Sequence, residues 1–482
     1  MTDPIAQLRR LMVQAVNTLD RARSKPKRRT MGLLPPTRSA RPPRLRGDQS
    51  AVSGANRRLR VLIVTSRDSG GGAPRAIHRL YLAMRRHHGS EVDTFLRVVH
   101  KSFDDNYIIG GKPSRNRWEY LKYFFRTRFR KYFPRKPFVS PNTLLHSQAL
   151  YNTGLGREID SLKPDVIMLG WLGNSTLSIE EIGRLKAPVL WRLSDMWMFA
   201  GAEHYTDHDR YSVGYSLASR PSTESGPDID RETFRRKRLL WKTPRHVICP
   251  SHWMAEQVGK SSLTTGWPTH VIPNTIDLDA WRPAPRFDAR MALGLPTRGK
   301  IILFGAGSGL KDDHKGGDLL LEAIAELDKL PIEAQENTTL AIFGQEGEPF
   351  QIGNIKVAFL GRLDDVSLRN AYAASNVMVV PSRLDNFPST AVEAQACGTP
   401  VVAFRTAGIP DIVQDGKTGF LADPFDTGQL SNFIIKILKD ATLERRLGTT
   451  ARSRANADWS PESVANRYLE VFREAVEEKN QR

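Results

Sequence analysis

Cysteine is scarce in this chain of 482 residues, which contains only Cys249 and Cys397. Both lie in apolar stretches, and neither belongs to a Cys-x-x-Cys pair. The sequence therefore argues against a disulfide framework and against a thiolate zinc site. Two isolated cysteines fit the reducing conditions of a cytoplasm.

Long apolar runs are also missing. The longest, at residues 61–65 and 166–172, fall well short of the ~20 apolar residues that a transmembrane helix needs. Arg9 and Arg10 interrupt the stretch that would form the apolar core of a signal peptide, and no small-residue cleavage site follows it. We therefore expect a cytoplasmic protein.

Acidic residues are outnumbered, with 52 against 71 lysines and arginines, which gives a formal net charge of +19. Such an excess suits a nucleic-acid-binding protein. A disproportionate share of it, however, lies in residues 21–60, where lysines and arginines face the single acid Asp48. Because the rest of the chain is far less basic, we expect no nucleic-acid partner.

Residues 1–57 form a basic extension rich in proline and arginine. Its part from residue 21 onward has little aliphatic content and is predicted to be a disordered tether, since it cannot offset its ordering entropy. Ahead of the tether, apolar residues at helical spacing predict an amphipathic helix that rests on anionic lipid or on a partner. They are Ile5, Leu8, Met12, Val16 and Leu19. A frayed leader without a role is the alternative.

Two series of strands alternating with helices follow. The first opens with an aliphatic run, a glycine turn and a helical pattern, which is typical of a doubly wound domain. Its strands are predicted at 59–65, 92–97, 166–169, 189–193, 246–250 and 269–272. The second starts after a proline-rich stretch at 281–285, with strands predicted at 300–304, 339–343, 356–359, 377–380 and 400–403.

This alternation predicts an α/β protein with two Rossmann-like parallel-sheet domains that face each other across a cleft. We assign the first domain to residues 58–283 and the second to 284–460. Residues 461–482 are predicted to form a C-terminal helix that packs back on the first domain.

The segment 381–404 carries the strongest chemical signal. A strand ends at Pro381, a loop follows, and residues 390–397 are predicted to form a helix that stops at Gly398. The N-terminus of such a helix offers N–H groups and a partial positive charge that suit phosphates. Asp385 and Glu393 flank this N-terminus, so one ligand could touch both.

The run DNFPSTAVEAQACGTPVVAF closely resembles the strongest signature of the retaining glycosyltransferases of family GT4, with its acid-x7-Glu motif at Asp385 and Glu393. Matches to other motifs of the family follow in its order over most of the chain: GGGA at Gly70, PSHWMAEQV at Pro250, PNTID at Pro273, Lys315-Gly316, FLGRLDD at Phe359 and GKTGFL at Gly416. The segment PVLWRLSDMWMFAGAEHY is similar to a subgroup that builds colanic-acid-type and other exopolysaccharides. The resemblance implies the two-domain GT-B architecture.

The resemblance also implies roles at the donor site. Glu393 would bind the ribose hydroxyls of the donor nucleotide, and Asp385 would lie beside the transferred sugar. The family usually has Glu at the position of Asp385, so reach and sugar choice are open here. A helix N-cap or loop acid is the alternative for Asp385. Backbone N–H groups of Asn386 and Phe387 would assist binding, and the adjoining Pro388 is also expected in the donor site.

Lys315 would neutralise the β-phosphate of the leaving nucleoside diphosphate, a task that a metal performs in other glycosyltransferases. No metal and no cofactor is therefore expected. The family's usual arginine is Gly309 here, and Lys311 would substitute for it. Gly361 and Arg362 complete the expected donor site. For Lys315 alone, a solvated loop lysine is the alternative.

On the acceptor side, Gly71 and Gly72 would bring the backbone close to donor phosphates or acceptor, with a plain tight turn as the alternative. Asp195 remains from the subgroup's HD dipeptide, but Ser194 stands where its histidine would be. His204 would contact the acceptor, or else is a packed surface histidine. A second histidine of the subgroup, expected after the strand at 166–169, is replaced around Gly170-Trp171. The loss of both imidazoles leaves acceptor handling and full activity open.

Residues 118–133, WEYLKYFFRTRFRKYF, interleave aromatic and basic side chains. This pattern predicts a helix in the headgroup region of an anionic membrane, where an isoprenoid-linked acceptor would be reached. An ordinary amphipathic helix packed on the sheet is the alternative.

Taken together, the resemblance implies a retaining hexosyltransferase at the inner face of the cytoplasmic membrane. It would move a hexose from a UDP- or GDP-sugar to a glycan or lipid-linked acceptor in exopolysaccharide synthesis. Another nucleotide-sugar enzyme of the same fold, or a catalytically weakened binding protein, are the alternatives.

Overall fold

The computed structural model describes residues 57–111, 138–173, 176–305, 310, 313–327 and 337–481. The predicted leader helix and tether, the aromatic and basic segment 118–133, Lys311 and Gly309 all lie outside the described residues. The described chain divides into two compact units. We call the part up to Thr275, together with the C-terminal helix, the N-terminal unit, and Ile276–Ser460 the C-terminal unit.

The N-terminal unit contains a sheet of seven parallel strands. They are β1 (Leu59–Arg67), β2 (Val92–His100), β3 (Ile108–Ile109), β4 (Val166–Leu169), β5 (Val189–Arg192), β6 (Val247–Cys249) and β7 (Thr269–Val271). Their order across the sheet is β3-β2-β1-β4-β5-β6-β7, so β1 lies between β2 and β4. The connecting helices are α1 (Gly72–His88), α2 (Leu155–Ser161), α3 (Ile179–Gly183), α4 (Ile229–Leu240) and α5 (His252–Lys260).

Strand β1 shows why this sheet is parallel and buried. Its alternate side chains enter two separate cores, with Leu62 and Val64 on one face and Val61 and Ile63 on the other. Each of these residues is at most 1% exposed. An unbroken aliphatic run satisfies both faces at once, which is the pattern expected when helices cover the two sides of a sheet.

The C-terminal unit repeats the plan with a second sheet of seven strands. They are β8 (Lys300–Gly305), β9 (Thr338–Phe343), β10 (Phe350–Ile352), β11 (Ile355–Gly361), β12 (Val377–Val380), β13 (Val401–Phe404) and β14 (Gly419–Ala422). Their order is β10-β11-β9-β8-β12-β13-β14, and only β10 is antiparallel to its neighbour. The helices are α6 (Arg286–Ala292), α7 (Gly317–Leu327), α8 (Asp365–Ala374), α9 (Ser389–Ala396), α10 (Thr427–Lys439) and α11 (Ala441–Asp458).

The last helix, α12 (Pro461–Gln481), belongs to the N-terminal unit although it follows the C-terminal unit in the chain. Its apolar face, which includes Tyr468, Leu469 and Phe472, shares one core with Ile77 and Tyr81 of α1. The chain therefore returns to the first unit after Ser460.

The prediction of two parallel-sheet α/β domains is confirmed, and each predicted strand corresponds to an observed one. Three short strands, β3, β10 and β14, were not predicted, because runs of two to four residues carry too little pattern to be recognised. Cys249 and Cys397 are buried and free, and burial raises the pKa of both thiols. Among the described residues no helix combines the length and the apolar character that crossing a membrane requires.

Candidate functional site

The strand order of the C-terminal sheet predicts the edge at which a ligand binds. The strands that follow β8 in the chain, β9 to β11, lie on one side of it, whereas β12 to β14 lie on the other. In open α/β sheets, ligands bind outside the carboxyl ends of the strands where the strand order reverses in this way. The loops that leave β8 and β12 both emerge there. The residues that the sequence singled out for the donor lie mainly in these two loops.

Arg383 fastens the two loops to each other. Its backbone N–H donates to the carbonyl of His314 at 2.8 Å, and its guanidinium donates to the carbonyl of Asp313 at 2.8 Å. The guanidinium also binds both carboxylate oxygens of Asp318, at 2.8 and 2.6 Å. This bond holds the pKa of Asp318 below its ordinary value. The loop after β12 is thereby tied at two points to the turn before α7 and at a third point to the first turn of α7.

The two residues predicted to be catalytic meet at this junction. The ammonium of Lys315, at the end of the 3₁₀ turn Asp313–Lys315, donates to Oδ2 of Asp385. The Asp385 side chain is 12% exposed and that of Lys315 is 35% exposed. Lys315 is therefore not a freely solvated loop lysine. The pair places a cation and an anion side by side at the rim of the sheet.

Gly316 is required by the close approach of the two loops. It has a positive φ of 66°, and a Cβ atom on it would lie 1.9 Å from the carbonyl oxygen of Pro381. A side chain there would push Lys315 away from the loop that carries Asp385. The adjoining Gly317 has a similar restriction, since its Cβ would lie 2.6 Å from the carbonyl oxygen of Leu310.

Helix α9 begins directly beyond this ion pair. Its N-cap is Pro388, and no side chain in the described part of the chain caps it. The alternative that Asp385 is the helix N-cap is therefore wrong: the helix starts at Ser389, and the Asp385 carboxylate is directed to Lys315 instead. An N-terminus without a side-chain cap leaves the first-turn amides suited to an anion.

The side chains of Asn386 and Phe387 are buried, at 2% and 7% exposure. The Phe387 ring packs edge-on against Trp459, with centroids 6.2 Å apart. Phe387 therefore anchors the loop in the core, and only its backbone is available for a ligand at the rim.

Glu393 lies in the second turn of α9 and is 2% exposed. Its Oε2 accepts a hydrogen bond of 3.0 Å from the hydroxyl of Tyr372 in α8. The Tyr372 ring is held in turn by Phe343 of β9, with the two rings edge to face and centroids 5.9 Å apart. A carboxylate buried and oriented in this way has a fixed direction, which a specific ligand contact requires.

Gly361 and Arg362 lie at the carboxyl end of β11, farther along the same edge. Gly361 has a positive φ of 64°, and its carbonyl accepts a 2.7 Å hydrogen bond from Gly344 at the end of β9. Arg362 is exposed. The structure therefore brings Asp385, Lys315 and the start of α9 together. Gly361 and Arg362 lie at the same carboxyl edge of the sheet.

In the N-terminal unit, the glycine turn lies between β1 and α1. Gly70 and Gly71 have positive φ angles of 77° and 85°, and the space around their missing Cβ atoms is open. Their conformation, and not crowding, requires glycine. Gly71 is the N-cap of α1 and Gly72 is its first residue.

Asp195, which is partly buried, and His204, which is buried, form a pair at the same edge of that sheet. His204 Nδ1 is 2.6 Å from Asp195 Oδ2, and its Nε2 is 2.8 Å from the hydroxyl of Ser147. The His204 ring also stacks on Trp197, with a centroid distance of 6.2 Å. His204 is only 5% exposed, so it is a packed histidine that lies in the interior and not on the surface, and its contact with an acceptor stays a prediction.

Ser194, which replaces the expected histidine, is bound by a buried arginine. Arg192 donates to the Ser194 hydroxyl at 2.5 Å and to the side-chain oxygen of Asn274. Both Arg192 and Ser194 line a small cavity together with Trp171, Asp195 and His204. The structure thus groups Asp195 with His204 in one cavity, whereas the glycine turn is not part of its lining.

Sequence reasoning missed several residues of these sites, namely Arg383, Tyr372, Ser147 and Arg192. A loop arginine, a helix tyrosine and a loop serine are common on any surface, and their partners lie 20 to 70 positions away in most cases. No local signal distinguishes them. The missing arginine of the donor motif could have prompted a search for another basic residue near Asp318.

Most of the C-terminal unit matches a known protein family. Residues 287–454 match the family model described as glycosyl transferases group 1. The chain is 33% identical over 215 residues to D-inositol 3-phosphate glycosyltransferase of Thermobifida fusca, covering 42% of this chain and 48% of that protein. The corresponding protein of Mycobacterium tuberculosis H37Ra is 32% identical over 216 residues, covering 44% of each chain. The match thus spans about half the length of these curated relatives.

Solved structures resemble the chain over most of its length. Sucrose-phosphate synthase from Thermosynechococcus elongatus has a TM-score of 0.57 at 20% identity, covering 86% of this chain and 99% of that one. Anabaena HepE in complex with UDP-glucose has a TM-score of 0.56 at 16% identity, covering 86% and 100%. A glycosyltransferase from Rickettsia africae has a TM-score of 0.58 at 14% identity, covering 87% and 99%. At these identities the likeness shows the GT-B fold.

The contact between Gly316 and Pro381 generates a prediction about stability. Gly316→Ala should lower the free energy of unfolding of the C-terminal unit by about 2 to 4 kcal/mol, the sum of left-handed strain and overpacking. Gly416→Ala is the matched control, because Gly416 has a similar φ of 71° but open space around its Cβ position. We expect the control to cost only about 1 kcal/mol. Denaturant unfolding followed by circular dichroism measures both, and equal losses would contradict the close approach.

Proposed function

We propose that the chain transfers a hexose from a UDP- or GDP-sugar to a glycan or lipid-linked acceptor with retention of the anomeric configuration, because residues 287–454 match the family model of glycosyl transferases group 1. The observation that carries the proposal is the arrangement at the carboxyl edge of the C-terminal sheet. There two connected loops carry a cation–anion pair, and the helix that follows them contributes its N-terminus and a buried, oriented carboxylate.

Glu393 is proposed to hold the nucleotide. An ionised carboxylate can accept hydrogen bonds from two neighbouring ribose hydroxyls, and such charge-assisted bonds are short and strong. The Tyr372 hydroxyl donates to Oε2 and orients the carboxylate, which as an ionised group offers about four lone-pair sites in all. Burial strengthens these bonds because little water competes for the carboxylate.

Lys315 is proposed to bind the β-phosphate. When the bond between the anomeric carbon and the β-phosphate oxygen breaks, negative charge grows on the leaving diphosphate. The Lys315 ammonium and the first-turn amides of α9 offset that charge. Lys315 is already bound to Asp385. A nucleoside diphosphate that binds Lys315 therefore has to share the ammonium with the Asp385 carboxylate or displace that carboxylate.

Asp385 is proposed to face the transferred sugar. Release of its ion pair by the phosphate would free the carboxylate to bind sugar hydroxyls and to stabilise positive charge at the anomeric carbon. Its position is fixed by the hydrogen bond of 3.0 Å from Gly408 N–H to its backbone carbonyl. Because Asp is one methylene shorter than Glu, the sugar has to approach the loop more closely.

The acceptor is proposed to bind in the N-terminal unit near Asp195 and His204. His204 is held between a carboxylate and a hydroxyl, so it is positioned to exchange a hydrogen bond with an acceptor hydroxyl that displaces Ser147. The relatives named as D-inositol 3-phosphate glycosyltransferases make a phosphorylated polyol a second acceptor class to test.

Membrane association at the cytoplasmic face and a role in exopolysaccharide synthesis extend this proposal. Both rest on the sequence of residues 1–57 and 118–133 and on the resemblance of the segment around Asp195. A catalytically weakened binding protein is the competing function, and the specific observation that favours it is Ser194 bound by Arg192 in place of a histidine.

The role of Glu393 predicts a loss of nucleotide affinity. Glu393→Gln should raise the Kd for UDP about 10- to 100-fold, because it removes charge-assisted hydrogen bonds of about 1.5 to 3 kcal/mol. Glu470→Gln, an exposed carboxylate on α12, is the control and should leave the Kd unchanged. Isothermal titration calorimetry with UDP and GDP measures the affinity and identifies the nucleotide. The same Kd in both variants would overturn the donor site.

The role of Lys315 predicts metal-independent turnover. Nucleoside diphosphate release from the preferred donor should persist in EDTA and fall about 10²- to 10³-fold in Lys315→Met, the loss typical of one charge-stabilising donor. Lys439→Met, at the exposed end of α10, should retain full activity. Abolition by EDTA with recovery on adding Mg²⁺ or Mn²⁺ would show that a metal performs this task.

A further inference from the structure

Two histidines and two glutamates converge at the edge of the N-terminal sheet, away from the residues discussed so far. His246 directly precedes β6, and His270 lies in the neighbouring strand β7. Glu474 and Glu478 are one turn apart on α12. All four belong to the N-terminal unit, so their arrangement does not depend on the C-terminal unit.

The distances within this cluster are those of potential metal ligands. His246 Nδ1 is 3.0 Å from His270 Nε2, and His270 Nε2 is 4.0 Å from Glu474 Oε2. One ligand atom from each of these three residues lies within 4.8 Å of the other two. Two nitrogen ligands at about 2.0 to 2.1 Å from a tetrahedral ion are themselves about 3.4 Å apart. The histidines need only a small displacement to reach that separation.

We propose that His246, His270 and Glu474 form a binding site for a divalent transition-metal ion of the zinc class. Two imidazole nitrogens and one carboxylate oxygen are ligands that Zn²⁺ accepts, and with three protein ligands a fourth position stays open for water. Ca²⁺ and Mg²⁺ prefer all-oxygen ligands, so this donor set selects against them.

Glu478 is placed to orient the ring of His246, one of the proposed metal ligands. Its Oε1 lies 3.3 Å from Nε2 of His246, which is the ring nitrogen turned away from His270. His246 is buried, and its Nε2 makes no hydrogen bond in the described chain, so the Glu478 carboxylate is within ion-pair distance without a formed hydrogen bond. A carboxylate there favours the tautomer with the proton on Nε2. The lone pair of Nδ1 is then directed toward the metal position.

The charge state and exposure of the ligands also suit metal uptake. Burial lowers the pKa of His270, which favours the neutral ring, although the nearby carboxylates of Glu474 and Glu478 act in the opposite sense. Metal binding requires this neutral form. The His270 side chain is 24% exposed and that of Glu474 is 51% exposed. An ion can therefore enter from solvent beside α12.

A bound ion would fasten the C-terminal helix to the sheet. At present α12 is held by its apolar face and by peripheral contacts such as the ion pair of Arg473 with Glu91 and the bond from Lys479 to the carbonyl of Lys186. Ligands on β7 and α12 are some 200 residues apart in sequence, so one ion would restrain both ends of a long loop. The ion would act on structure, and the donor loops of the C-terminal unit do not contribute to it.

The test uses the full chain, freed of metal with a chelator and dialysed. Zn²⁺ is titrated by calorimetry, and Co²⁺ is added separately because a tetrahedral Co²⁺ site gives visible absorption. We expect one ion per chain, and at least a tenfold weaker Kd in the double variant His270→Gln/Glu474→Gln. The matched control is His100→Gln/Glu477→Gln, which removes an exposed histidine and an exposed glutamate outside the cluster.

A second measurement locates the ion. Zn²⁺ should slow amide hydrogen exchange in residues 461–481 of the wild type and of the control, and it should leave the double variant unchanged. If the double variant fails to fold, Glu474→Gln alone serves, because this side chain is half exposed and packs little. Zn²⁺ binding of equal strength in the variant and the control, or no binding by the wild type, would overturn the site. The affinity of the same proteins for UDP is measured in parallel. A failure to bind UDP would contradict the proposed donor site and would not contradict the metal site.

Discussion

The donor edge of the C-terminal unit depends on the attachment of one loop to another. Arg383 binds the backbone of His314 and the carboxylate of Asp318, so the loop after β12 cannot move without the turn before α7. Two features of the edge follow from this attachment. Lys315 reaches Asp385 because the turn is held there, and Gly316 is required because the turn is held so close.

The same attachment explains how a rigid sheet can carry a site built from loops. The ion pair of Arg383 and Asp318 is partly exposed, so its contribution to stability is modest. Its value is geometric, since a bidentate arginine fixes direction as well as distance. Glu393 is fixed by different means, through burial in α9 and the Tyr372 hydroxyl. The nucleotide and the diphosphate would thus be bound by independently positioned groups.

The sequence predicted the architecture because buried parallel strands are continuous aliphatic runs. The sequences of β1, β8 and β12 are runs of this kind, so each predicts a buried strand. It also predicted that Asp385 and Glu393 flank a helix start, since their spacing and Gly398 are local signals. It could not predict that Asp385 is bound to Lys315, that Glu393 is almost fully buried, or that Arg383 and Tyr372 position them. Those facts depend on contacts between distant parts of the chain. The histidine cluster with α12 was missed for the same reason.

The central claim is that the two connected loops and the start of α9 bind a nucleotide sugar. Amide hydrogen exchange of the full chain, with and without saturating UDP-sugar, tests it most directly. Exchange should slow in residues 313–317 and 381–396, and α10, which contributes no residue to the proposed donor site, should be unaffected. Protection confined to other regions, or no protection under saturating conditions, would contradict the account.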